Sequence, residues 1–209
     1  MMRLLVKGFA ALFVSLAALV SGTHGLAYDS VYFDGLRAFL LPTNDCTAPC
    51  FLGIRPGVTT QDEAVTLLRA SSWAQDIEVH RDSIEWRWND YLAPYVTPQG
   101  IQPQAWIDDS GRVQRIVVIS KVAFGDIWML MGKPDGGEFS HRHNALGGSG
   151  FVEFSLFAAY KRAYLETRVL GRCPGSSLWQ ATSTLIWWSA SPLYPPYNVL
   201  LHPADRSEC

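Results

Sequence analysis

Two histidines one residue apart, His141 and His143, are the most metal-like pair in this chain. An H-x-H spacing on an extended segment offers two imidazoles to one cation, but a complete zinc site takes three or four ligands. The third would have to be Glu138, Asp135 or the distant His80 or His202. The segment Glu138–Gly150 therefore reads first as a polar, glycine-rich loop, and second as a metal-binding or small-ligand sensor. Gly147-Gly148-Ser149-Gly150-Phe151 has the outline of a nucleophile elbow, yet Phe151 stands where the second glycine belongs. Asp108 and Asp109 are neighbours, and neighbours on a strand point to opposite faces, so an acid–base pair is not expected of them. Asp62 and Glu63 fall in the first turn of a helix, where carboxylates complement the helix dipole. No Ser or Cys has a convincing His and acid partner. The expectation is a protein that is not an enzyme, with no catalytic residue, metal or cofactor.

Four cysteines remain: Cys46, Cys50, Cys173 and Cys209. The zinc reading needs a second close pair of ligands, which Cys173 and Cys209 do not supply. Structural disulfides are expected, Cys46 with Cys50 around Pro49 and Cys173 with Cys209, although four cysteines allow three pairings. The tryptophans are the best surface candidates: Trp86 and Trp88 in one part of the chain, Trp187 and Trp188 in the other. Large aromatics serve interfaces as hot spots, but they also dominate cores. Trp187 and Trp188 must face opposite ways, so one of them is the candidate for exposure.

Elements that would position these residues can be read from periodicity. A leading helix is expected between Tyr28 and Leu41, stopped by Pro42. Thr60-Gln61-Asp62-Glu63 has the capping-box pattern, and Val65, Leu67 and Leu68 follow with an apolar stripe. Ile84-Glu85-Trp86-Arg87-Trp88-Asn89 alternates as a strand does, with Ile84, Trp86 and Trp88 on one face. Tyr91–Pro103 is proline-rich and reads as a loop. Gln104–Asp108 and Arg112–Ser120 flank Asp109-Ser110-Gly111 as a hairpin. A second short helix around Ile127, Leu130 and Met131 stops at Gly132. Strands are expected over Phe151–Ala159, Ala163–Leu170 and Ser183–Ala190.

Length and charge set the frame. A chain of 209 residues, 48% apolar and 17% charged, can bury a substantial core. A formal net charge of -2 without a basic run excludes the electrostatic footprint of nucleic-acid binding. Residues 1–27 begin with Arg3, continue apolar to Val20 and end in small residues, as an export signal does. Cleavage after Ala27 is the first reading. An uncleaved membrane anchor is the alternative, since the apolar run nears spanning length.

A glycine-led helix ending in Leu130-Met131-Gly132-Lys133-Pro134-Asp135, followed by antiparallel strands carrying tryptophan, resembles the unit of the BamE/SmpA-like envelope proteins. Two such units in tandem, over roughly Gly53 to Ala190, resemble the β-lactamase inhibitor protein arrangement. Pro49 to Thr60 also resembles a segment of exported bacterial proteins. The resemblance implies an antiparallel sheet with helices on one face and another face left for a partner. The chain departs from the lipid-anchored members, because its first cysteine is Cys46, and β-lactamase inhibition is not carried over.

The sequence therefore predicts an α+β fold of two tandem helix-plus-antiparallel-strand units, with helices packed on one face of the sheet. Residues 1–27 form the signal or anchor, 28–120 the leading helix and first unit, and 121–209 the second unit with a proline-rich tail. The expected role is an extracytoplasmic binding or scaffold module, secreted or in the cell envelope. Its expected partner is an envelope protein or peptide.

Overall fold

The structure, a computed structural model, describes residues 30–41, 46–89, 94–96, 101–144, 151–173 and 177–190. Contacts divide the chain into two compact units, Met1–Leu36 and Arg37–Cys209. In the first unit lies the start of helix α1 (Ser30–Leu40), where Tyr32 and Phe33 meet edge to face at 5.4 Å. The expected signal or anchor over 1–27 lies outside the described residues. Among the described residues, no helix is long and apolar enough to cross a membrane.

The second unit is built on one sheet. Its strands are β1 (Ala74–Val79), β2 (Ser83–Trp88), β3 (Gln104–Ile107), β4 (Val113–Ala123), β5 (Gly136–Asn144), β6 (Phe151–Tyr160), β7 (Leu165–Cys173) and β8 (Thr182–Trp188). They lie in the order β1-β2-β3-β4-β8-β7-β6-β5, with every neighbouring pair antiparallel. Helix α2 (Gln61–Ala70) precedes β1, and α3 (Phe124–Met131) joins β4 to β5.

This overturns the expected α+β fold of two helix-plus-strand units. The protein is mostly a single eight-stranded antiparallel sheet, with short helices as accessories. The physical reason is the seam between β4 and β8. Arg115 to Ile119 pair residue for residue with Trp188 to Thr184, so backbone hydrogen bonds run across the point where a boundary was expected. A second correction concerns Glu138–Gly150. Its first part is not a loop but β5, paired with β6 from Gly136↔Ala159 to Asn144↔Phe151. An edge strand needs only one neighbour and tolerates polar residues on its free side, so its composition imitates a loop. Residues 145–150 lie outside the described part.

Local signals explain where the helices begin. At α2, the Thr60 side chain accepts from the Glu63 N–H, and the Glu63 carboxylate accepts from the Thr60 N–H at 2.9 Å. Ala64, Val65 and Leu68 then form its buried stripe. The bond from the Thr60 backbone N–H holds the Glu63 carboxyl below its ordinary range. A depressed carboxyl contributes stability above its unfolded-state pKa, and that contribution disappears as pH falls through the folded value. Thr60→Ala is expected to cost about 1 kcal/mol in urea unfolding. A change within error would mean that the cap adds nothing beyond the packing of α2.

The core lies on one face of the sheet. Ile84, Trp86 and Trp88 of β2 share it with Ala105, Ile116, Val118, Leu185, Trp187, Leu165 and Leu156, all buried. Phe51, just after the disulfide Cys46–Cys50, reaches over this face. Its ring lies 4.2 Å from Trp187 and 6.2 Å from Trp88. Phe39 of α1 packs at 5.7 Å from both Phe51 and Tyr95. Burial of several large aromatic side chains, each worth roughly 2–3 kcal/mol in transfer from water, makes this hub a major source of stability.

Candidate functional site

Three of the four candidate tryptophans belong to that hub. Trp86, Trp88 and Trp187 are 0%, 4% and 1% exposed, so none presents a surface to a partner. Trp188 turns the other way, as its adjacency to Trp187 requires, and is half-buried on the second face of the sheet.

Register assembles a row there that sequence reading did not find. Trp106 of β3 sits opposite Arg115 of β4, and Arg115 sits opposite Trp188 of β8. Directly opposed residues share a face, with side chains close enough to interact. The Arg115 guanidinium carbon accordingly lies 4.9 Å from the Trp106 ring centroid and 5.5 Å from that of Trp188. Both distances are within cation–π reach. Beyond Trp188, its indole N–H donates to Glu166 Oε2 at 3.2 Å, and Arg168 Nε donates to the other carboxylate oxygen. Arg168 in turn lies over the Phe157 ring at 5.2 Å. The row therefore reads Trp106, Arg115, Trp188, Glu166, Arg168, Phe157 and crosses five strands, from β3 to β6.

Each charge on this face has a different status. Glu166 is 1% exposed, yet both its oxygens are hydrogen-bonded, which is the condition for burying a carboxylate. Arg168 meets Glu166, Arg172 meets Glu153 at 3.1 Å, and Arg87 meets Asp76. Glu85 accepts from Gln104 at 2.8 Å. Among the described residues, Arg115 meets two rings and no carboxylate. Next to the row, Ser140, Glu153, Ser155, Leu170 and Arg172 line a groove of about 700 Å³, with Leu170 74% exposed at its rim.

The other chemical candidates take structural places. Asp108 Oδ1 accepts from the Ser110 hydroxyl at 2.6 Å, the Ser110 N–H at 2.9 Å and the Arg112 N–H at 3.0 Å. The Ser110 hydroxyl and these amides hold its carboxyl below the usual range, and the residue caps the β3–β4 turn. His141 and His143 lie on β5 opposite Phe154 and Val152 in backbone register. Their side chains fall outside what is described, as does the Ser149 segment apart from Phe151. Among the described residues, no cluster of three or more metal-ligating side chains occurs. The Cys46–Cys50 bridge is present, while Cys209 lies outside the described residues, and with it the expected pairing of Cys173.

One signal in the sequence pointed toward the row: the Asp108–Gly111 turn, which joins β3 to β4 and sets Ile107 against Val113, after which a register shift between Trp106 and Ile107 brings Trp106 against Arg115 rather than Gln114. Comparison with protein-family models, curated proteins and solved structures finds no match to this chain.

Proposed function

We propose that this protein is a non-enzymatic binding or scaffold module that works outside the cytoplasm and contacts another envelope protein or a peptide through the second face of its sheet. The observation that carries this reading is the row Trp106, Arg115 and Trp188, two indoles holding an arginine on a half-exposed surface. Tryptophan and arginine are the residues most enriched at interface hot spots, because both present large, rigid contact areas. Three carboxylates are engaged in structural bonds: Asp108 in a turn, Glu63 in a cap, Glu166 between Trp188 and Arg168. The Cys46–Cys50 disulfide supports an oxidising compartment, as does the apolar start of the chain.

A photo-crosslinking residue at Leu170, on this face, tests the reading against one at Met129 on α3, which is 61% exposed. In the cell envelope, position 170 is expected to give discrete adducts that vanish in a Trp106→Ala, Trp188→Ala background. Adducts that are identical from both positions, or that survive the double substitution, would remove this face as the binding surface.

A further inference from the structure

We propose that Arg115 is a preorganised carboxylate receptor, and that the partner segment received by this face is an acidic peptide carrying Glu or Asp among apolar residues. This rests on the preceding reading of the second face as a binding surface. Most exposed arginines are long, mobile cations that lose side-chain entropy when they bind. Arg115 is held differently. Its guanidinium is flanked by Trp106 and Trp188, and its Nε is shut off from solvent with no hydrogen-bond acceptor. Among the described residues its terminal nitrogens meet no hydrogen-bond acceptor. A planar fork already fixed against two rings and lacking a carboxylate is matched to bidentate capture of one.

The surroundings favour a peptide over an anionic sugar. Side chains that could have met sugar hydroxyls are bonded to one another instead: Gln104 to Glu85, Ser140 to Ser155, and Glu166 to Trp188 and Arg168. What flanks the fork is apolar, the surfaces of the two indoles. Glu166 does not compete for Arg115, because both its oxygens are occupied.

The test uses the full chain and three acetylated, amidated decapeptides that alternate Tyr with Glu, Gln or Lys, with polygalacturonate as the anionic glycan. Titration calorimetry is expected to show the Tyr/Glu peptide binding at least about tenfold more tightly than the Tyr/Gln peptide, because a charge-assisted pair is stronger than a neutral one. Arg115→Gln is expected to bring the affinities for the Tyr/Glu and Tyr/Gln peptides within about twofold of each other. Arg115→Lys is expected to recover only part of the preference, since an ammonium lacks the fork. A single cooperative thermal unfolding transition of the Arg115→Gln protein serves as the folding control. Equal affinity of the wild type for the Glu and Gln peptides would overturn the receptor while leaving the face as a binding surface. Binding of polygalacturonate with no peptide bound would overturn the peptide assignment. Silence of all four probes would overturn the receptor, and if position 170 of the otherwise unaltered chain also gave no adducts, both readings would fall.

Discussion

Trp187→Ala is expected to lower the free energy of unfolding by about 3–5 kcal/mol, whereas Trp188→Ala, one residue away, is expected to cost about 1–2 kcal/mol. The difference comes from the faces the two indoles occupy. Trp187 is 1% exposed, packs at 4.2 Å from Phe51, and stands in register with Ile116 on β4 and Leu165 on β7. Its removal leaves a cavity beneath Phe51 at the centre of the hub. Trp188 loses a ring contact with Arg115 and one hydrogen bond to Glu166, which keeps Arg168. Since domains of this size hold only about 5–15 kcal/mol in total, the first variant should melt about 6–20 °C lower. Urea unfolding of the two variants side by side checks this. Equal losses would show that the hub does not dominate stability as its burial implies.

Gly171→Ala is expected to destabilise by about 1–3 kcal/mol despite adding a single methyl group. Gly171 of β7 lies directly opposite Phe154 of β6, and the aromatic ring covers the glycine. A Cβ there would stand 2.1 Å from Phe154 Cζ and 2.5 Å from Cε1. The ring has little room to withdraw, being 3% exposed and stacked on Phe139 at 6.3 Å. An aromatic laid over a cross-strand glycine is a recurrent way to recover the packing that glycine gives up. Phe154→Leu removes the ring atoms that cause the clash. The double variant should therefore lose less than the sum of the two single variants, by at least about 0.5 kcal/mol. Strict additivity in chemical unfolding would show that the clash is not the cause.

Much of the local structure was legible because it depends on residues within one turn of each other. The capping box at Thr60 and Glu63 starts α2 where expected, and Gly132 ends α3. The Asp108–Gly111 turn joins β3 to β4, with Asp108 as its anchor. Edge strand β5 was missed for the opposite reason. Its pairing with the β6 backbone requires no particular side chain, so Gly136, Gly137 and Ser140 gave no strand signal.

By itself the sequence determined the alternations: Ile84, Trp86 and Trp88 had to share a face, and Trp187 and Trp188 had to part. It could not say which face would be covered. Periodicity is symmetric between the two sides of a strand, and the covering side chains, Phe39 and Phe51, come from remote segments. Only the tertiary structure decided that Trp86, Trp88 and Trp187 are core. Only the pairing of β4 with β8 turned two expected units into one sheet and brought Trp188 beside Arg115. That contact joins residues 73 positions apart in the numbering, through backbone hydrogen bonds any sequence can make. No local pattern encodes such a partnership, so the row on the second face became visible only once the strands were in place.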